Sequence, residues 1–85
     1  MEKDLKKAFE YYLKSAEAGN AWGQNNVGLC FYNGKGVEQN YQKAFENFKK
    51  SADQGNGIGM ANVGLCYETG NGVTKDEKEA LAEVS

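Results

Sequence analysis

Apolar residues recur along the chain at helical spacing. Between residues 40 and 54 they fall at i, i+3, i+4, i+7 and i+11, one face of an amphipathic helix, and they are Tyr41, Ala44, Phe45, Phe48 and Ala52. The same stripe occurs earlier, in Leu5, Ala8, Phe9, Tyr12 and Ala16. The spacing predicts helices over about 4–18 and 40–54, and the start of the same pattern predicts one over 76–84.

A second kind of helix is predicted over 21–33 and 57–69. Asn20 and Asn56 precede these segments as N-caps. Each apolar stripe contains a glycine, Gly28 or Gly64. Because glycine inside a helix costs about 1 kcal/mol relative to alanine, its recurrence predicts a close approach by a neighbouring helix.

The chain repeats itself at an offset of 36 residues. Aligning residues 5–40 with 41–76 gives 18 identities in 36 positions without a gap, where chance gives roughly 2. Such a period is typical of stacked helix pairs. We therefore expect one all-α repeat domain over 1–85, a solenoid of about two repeats and five helices. In the loops, residues with left-handed backbone are expected among four glycines, which are Gly34, Gly36, Gly70 and Gly72.

Composition narrows the possible functions. The net charge is −2, all ten cations are lysine, and histidine is absent. Histidine-based catalysis is excluded, and neither nucleic acid nor a membrane is expected as a partner. Two cysteines are too few for an all-thiolate zinc site, and no cofactor is expected.

Cys30 and Cys66 occupy equivalent positions in the two repeats. Neighbouring helices lie roughly 8–10 Å apart, whereas a disulfide needs Cα atoms within about 7 Å. Free, partly buried thiols are therefore expected. A reducing, cytoplasmic setting is the default for so few cysteines, and a processed secreted form stays open.

The repeated motif resembles the Sel-one-like repeat family, relatives of the tetratricopeptide repeats. The resemblance rests on the run from Asn26 to Val37, on Lys43-Ala44-Phe45 and on the second copy from Gly64 to Leu81. It implies a right-handed α/α superhelix with a concave face that binds a peptide or a partner helix. Gly23 and Gly59 depart from the family, which usually has a small alanine there, and the final helix is about half the usual length.

The resemblance implies that one stripe of the 21–33 and 57–69 helices faces the concave side. The candidate binding residues are Trp22, Asn25, Leu29, Tyr32, Ile58 and Leu65. Trp22 and Tyr32 are favoured as groove residues because the core stripe is complete without them. The two leucines either line the groove or pack between repeats, and the sequence leaves both open.

These features favour a non-catalytic scaffold that binds a protein or peptide. The recurring charged residues, such as Glu10 and Glu46, have no catalytic partner in the sequence. The glycine loops follow helices, whereas a phosphate-binding loop follows a strand. The alternative is a structural module that self-associates through exposed helix ends, because a solenoid with uncapped ends exposes apolar surface.

Overall fold

The computed structural model describes residues 3–73, which form four α-helices joined by short loops and contain no strand. The helices are α1 (Leu5–Glu17), α2 (Ala21–Asn33), α3 (Tyr41–Asp53) and α4 (Gly57–Thr69). The predicted bounds of α2 and α4 are confirmed, and α1 and α3 are one residue shorter at each end than predicted. The predicted helix over 76–84 lies outside the described residues.

Each helix begins at a side-chain cap. The amide oxygen of Asn20 accepts a hydrogen bond from the backbone N–H of Gly23 at 3.0 Å, and Asn56 does the same for Gly59 at 2.8 Å. Asp4 and Asn40 cap α1 and α3 in the same way. The predicted ranges began at these two residues, and the helices begin one residue later because a capping residue has non-helical backbone.

The glycine loops end α2 and α4. Gly34 and Gly70 follow these helices with φ of 69° and 77°, and their N–H groups donate to the carbonyls of Cys30 and Cys66. Gly36 and Gly72 also have positive φ, 75° and 79°. The prediction of left-handed backbone in these loops is confirmed, and all four glycines have it.

The helices stack so that α2 packs between α1 and α3, and α4 packs on α3 and touches α2. The repeat is visible in the packing. Phe9 and Phe31 meet edge to face with ring centroids 5.4 Å apart, and 36 residues later Phe45 and Tyr67 meet in the same way at 5.7 Å. The sequence identity between repeats therefore reflects a shared helix–helix contact.

The centre of the described core is formed by Ala44, Phe45, Phe48 and Cys66. Phe48 is fully buried. A Cβ atom at Gly28 would lie 2.5 Å from Cδ1 of Phe48, which confirms the predicted close approach at that glycine. At Gly64 nothing in the described part of the chain comes within 4 Å of such an atom.

Serine explains why glycine stands at 23 and 59. A Cβ atom at Gly23 would lie 2.5 Å from Oγ of Ser15, and one at Gly59 would lie 2.7 Å from Oγ of Ser51. The Ser51 hydroxyl is fully buried and donates to the carbonyl of Ala21 at 2.8 Å. The side-chain hydroxyl thus takes the room that an alanine methyl group would need.

The apolar stripe of α1 is exposed at its first residue, Leu5. Leu5 is 47% exposed, although it belongs to the same apolar stripe as the buried Ala16. In the next repeat, the equivalent Tyr41 is in contact with Tyr32 of α2. No helix within residues 3–73 contacts Leu5 in the way that α2 contacts Tyr41, so the apolar stripe of α1 is only partly covered.

Candidate functional site

Two hydrogen bonds hold α2 and α4 side by side. The Asn62 amide donates to Oδ1 of Asn25 at 2.7 Å, and the Asn71 amide donates to the hydroxyl of Tyr32 at 3.0 Å. These contacts join residues 37 and 39 positions apart. The two helices therefore present one continuous surface.

Apolar side chains are exposed on that surface. Trp22 is 58% exposed, Ile58 61% and Leu65 39%, while Leu29 is half-buried and also packs against the core cluster of Ala44, Phe45, Phe48 and Cys66. Residues seven apart lie on the same side of a helix, so Trp22 and Leu29 share one side of α2, and Ile58 and Leu65 share that of α4. We call these four residues the candidate groove.

Asn25 and Tyr32 lie beneath the surface rather than on it. Asn25 is 6% exposed and Tyr32 is half-buried. The Tyr32 ring packs against Tyr41 and Phe48, with centroid distances of 5.0 and 6.2 Å. Both residues contribute to the junction between helices, and through it they position the candidate groove.

The Trp22 side chain is supported from α1. The rings of Tyr12 and Trp22 meet edge to face with centroids 5.4 Å apart. The Asn26 amide donates to the backbone carbonyl of Trp22 at 2.8 Å. Tyr12 belongs to the apolar stripe of α1, and the sequence does not predict its contact with Trp22 because nothing local to α1 indicates it.

A cavity of about 300 Å³ adjoins Leu29 between α1 and α2. The residues that line it are Leu5, Ala8, Tyr12, Asn26, Leu29, Cys30, Asn33 and Lys35. Most of its walls are apolar, and Lys35 contributes the one cation among these lining residues. We call it the α1–α2 cavity.

Both cysteines are free and buried, as predicted. Burial raises the pKa of the Cys30 thiol above its ordinary value of 9.0, and the nearby positive charge of Lys35 partly opposes that rise. Burial alone raises the pKa of Cys66. Because the thiolate is the reactive form, both side chains are poor nucleophiles near neutral pH.

Thiol alkylation tests this assignment. At pH 7.5 we expect iodoacetamide to react with both cysteines more than about tenfold more slowly in the native protein than in denaturant, where the thiols have their ordinary pKa and are accessible. Equal alkylation rates in the two states would contradict burial.

The raised thiol pKa also predicts how stability depends on pH. A cysteine whose pKa is higher in the folded state than in the unfolded state contributes stability below its unfolded-state pKa, and this contribution is lost as the pH rises through its folded-state pKa. The free energy of unfolding should therefore decline above about pH 9.

The described part of the chain has neither a cluster of metal ligands nor an apolar helix long enough to span a membrane. Within residues 3–73, no group of three or more His, Cys, Asp or Glu side chains is placed to hold a metal ion. None of the described helices has the length and apolar character needed to cross a bilayer.

Comparison with known proteins identifies relatives of the chain. A family model described as "Sel1 repeat" matches residues 1–20, 23–56 and 57–82. The search of curated proteins gave no match. The crystal structure of a Sel1 repeat protein from Oxalobacter formigenes is similar, with a TM-score of 0.84 and 35% sequence identity. The match covers 96% of this chain and 34% of that one, so the chain spans about a third of its relative's length.

Proposed function

The chain belongs to the Sel1 repeat family, and we propose that it is a non-catalytic scaffold that binds a protein or peptide through the candidate groove. Sel1 repeats generally serve as protein-interaction scaffolds. The observation that carries the proposal is the pair of exposed apolar side chains at equivalent positions of adjacent helices, Trp22 and Ile58. Exposed aromatic and aliphatic residues in one patch are typical of binding surfaces.

The chemistry of the groove favours apolar side chains of a partner. None of its four residues carries a charge. A groove that reads a chain-terminal carboxylate would present lysine or arginine, so we do not expect a terminal carboxylate to be the main target. Contacts of this kind depend weakly on salt, because few charges are involved.

Amide groups at the edge of the groove supply its polar part. The Nδ2 groups of Asn26 and Asn33 donate to carbonyls of α2, those of Trp22 and Leu29. Each of these bonds uses one N–H of the amide, so the side-chain oxygens of Asn26 and Asn33 and their second N–H groups are offered to a ligand. An amide oxygen accepts hydrogen bonds, and we expect these two to pair with backbone N–H groups of an extended partner.

Truncation of Trp22 tests the proposal. For a partner peptide selected against the chain, Trp22→Ala should weaken binding by about 2 kcal/mol, or roughly 30-fold, if Trp22 is a hot spot. Tyr11→Ala is the matched control, because Tyr11 is also an exposed aromatic residue, 69% accessible, with its ring next to Lys14 of α1.

Calorimetry at low and high salt provides the readout. We expect wild type and Tyr11→Ala to bind alike, with similar affinities at both salt concentrations. An unchanged affinity for Trp22→Ala, together with strong salt dependence, would place the site on a charged face and contradict the proposal.

Self-association through the helix ends is the second candidate. Leu5 on α1 and Met60 on α4, in the first and last described helices, are about half exposed. Sedimentation at several concentrations separates the two functions. A monomer at all concentrations would remove the support for self-association.

A further inference from the structure

Tyr32 packs at the point where α2, α3 and the loop after α4 meet. The Tyr32 side chain, carried on α2, contacts Tyr41 and Phe48 of α3, and its hydroxyl accepts a hydrogen bond from the Asn71 amide at 3.0 Å. One aromatic side chain thus joins its own helix to α3 and to the loop after α4. We call this arrangement the internal socket.

The α1–α2 cavity occupies the equivalent place one repeat earlier. The three residues that contact Tyr32 have counterparts 36 positions before them, Leu5, Tyr12 and Lys35, and all three line the cavity. The other five lining residues also have counterparts 36 positions later, which are Ala44, Asn62, Leu65, Cys66 and Thr69. The cavity therefore corresponds to a tyrosine-binding socket without the tyrosine, since no side chain within residues 3–73 takes the place of Tyr32.

The chemistry of the cavity fits a phenol. Its walls include the apolar side chains of Leu5, Ala8 and Leu29 and the ring of Tyr12. Lys35 stands where the internal socket has Asn71, and its ammonium group can donate a hydrogen bond to a hydroxyl oxygen, as the Asn71 amide does.

We propose that the α1–α2 cavity binds a tyrosine side chain that a partner protein presents on a helix, with the tyrosine hydroxyl accepting a hydrogen bond from Lys35. The template is the internal socket, in which the tyrosine is carried on α2, the helix that precedes α3 and packs against it. This site lies on α1, α2 and the loop after α2. It shares Leu29 with the candidate groove and Asn26 and Asn33 with the edge of that groove.

A second copy of this chain fits the cavity less well. The residue of α4 equivalent to Tyr32 is Glu68. Its carboxylate would have to enter a space lined by Leu5, Ala8 and Tyr12. Burying a charge among apolar groups is costly, so a tyrosine is favoured as the occupant.

The first test uses p-cresol, the side-chain analogue of tyrosine, and toluene, the analogue of phenylalanine. We expect p-cresol to shift the NMR signals of Leu5, Tyr12 and Lys35, and to bind about tenfold more tightly than toluene because only p-cresol can accept the hydrogen bond. Signals of Phe48 and Asn71 in the internal socket, which Tyr32 already fills, serve as the control within the molecule. Equal binding of the two compounds, or no shifts in the cavity, would overturn the proposal.

Three substitutions separate this site from the groove. Lys35→Asn places the hydrogen-bond donor of the internal socket in the cavity and should keep the preference for p-cresol, whereas Lys35→Leu should lose it. Lys35 is exposed, so both variants should fold. Ile58→Ala changes the groove alone and should leave p-cresol binding unchanged, so this proposal and the groove can fail independently.

A helix-stabilised peptide of residues 20–34, which contains Tyr32, tests the partner. We expect it to bind at the cavity, and its Tyr32→Ala version to bind at least tenfold more weakly. Equal binding of the two peptides would overturn the proposal. Concentration-dependent association of the protein that Glu68→Gln abolishes would also overturn it, because the occupant would then be a second copy.

Discussion

Phe48→Ala should remove most of the folding free energy of the protein. The side chain is fully buried, lies against Gly28 and packs with Ala44, Phe45 and Cys66. Truncating a buried phenylalanine costs about 3–5 kcal/mol, and a domain of this size has roughly 4–13 kcal/mol of stability in total. A large fraction of the variant should be unfolded at 25 °C.

Denaturant unfolding followed by circular dichroism measures this loss. Tyr11→Ala, which truncates an exposed ring, should change the midpoint little. Phe45→Ala, also in the core cluster, should behave like Phe48→Ala. A midpoint for Phe48→Ala close to that of wild type would show that the core is assigned to the wrong stripe.

Gly36→Ala should be the most damaging loop substitution. Gly36 has a φ of 75°, and a Cβ atom there would overlap the backbone carbonyl of Leu5. The left-handed conformation alone costs an alanine roughly 1–2 kcal/mol, and moving packed backbone adds to that cost. We expect a loss of roughly 3 kcal/mol or more.

Gly19→Ala is the matched control for this effect. Gly19 also has positive φ, 89°, but nothing lies within 4 Å of a Cβ atom there. Its substitution should cost only the conformational strain, roughly 1–2 kcal/mol. Equal unfolding free energies for the two variants would show that the loop does not approach α1 as closely as described.

The helices were predictable because their signals are local. Asn20 and Asn56 cap the helices that follow them, and Gly34 and Gly70 end those helices in the left-handed conformation. A cap depends on residues within one turn, so no knowledge of distant contacts is needed. The stacking of the helices was predictable from the repeat, because identical residues 36 positions apart make equivalent contacts.

The division of the candidate site between surface and interior was harder to predict. Tyr32 follows Trp22 by ten residues, which at about 100° per residue falls roughly 80° short of three full turns. That rotation turns Tyr32 toward Tyr41 and Phe48 of α3. Leu29, seven residues on, falls only about 20° short of two turns and stays on the side of Trp22.

The glycine positions show where pattern alone is insufficient. Gly23 and Gly59 are departures from the family in sequence, and only the packing of Ser15 and Ser51 explains them. In the same way, the proposed hydrogen bond from Lys35 to a tyrosine hydroxyl rests on its position beside the α1–α2 cavity. Both depend on contacts between helices, which a single sequence does not specify.

Mapping the interface by NMR tests the central claim most directly. The protein is titrated with a selected partner peptide, and backbone and side-chain shifts are followed for each residue. The account predicts the largest changes at Trp22, Leu29, Ile58 and Leu65. The largest changes at Lys49 and Lys50, two exposed residues of α3, with the four groove residues unaffected, would contradict it.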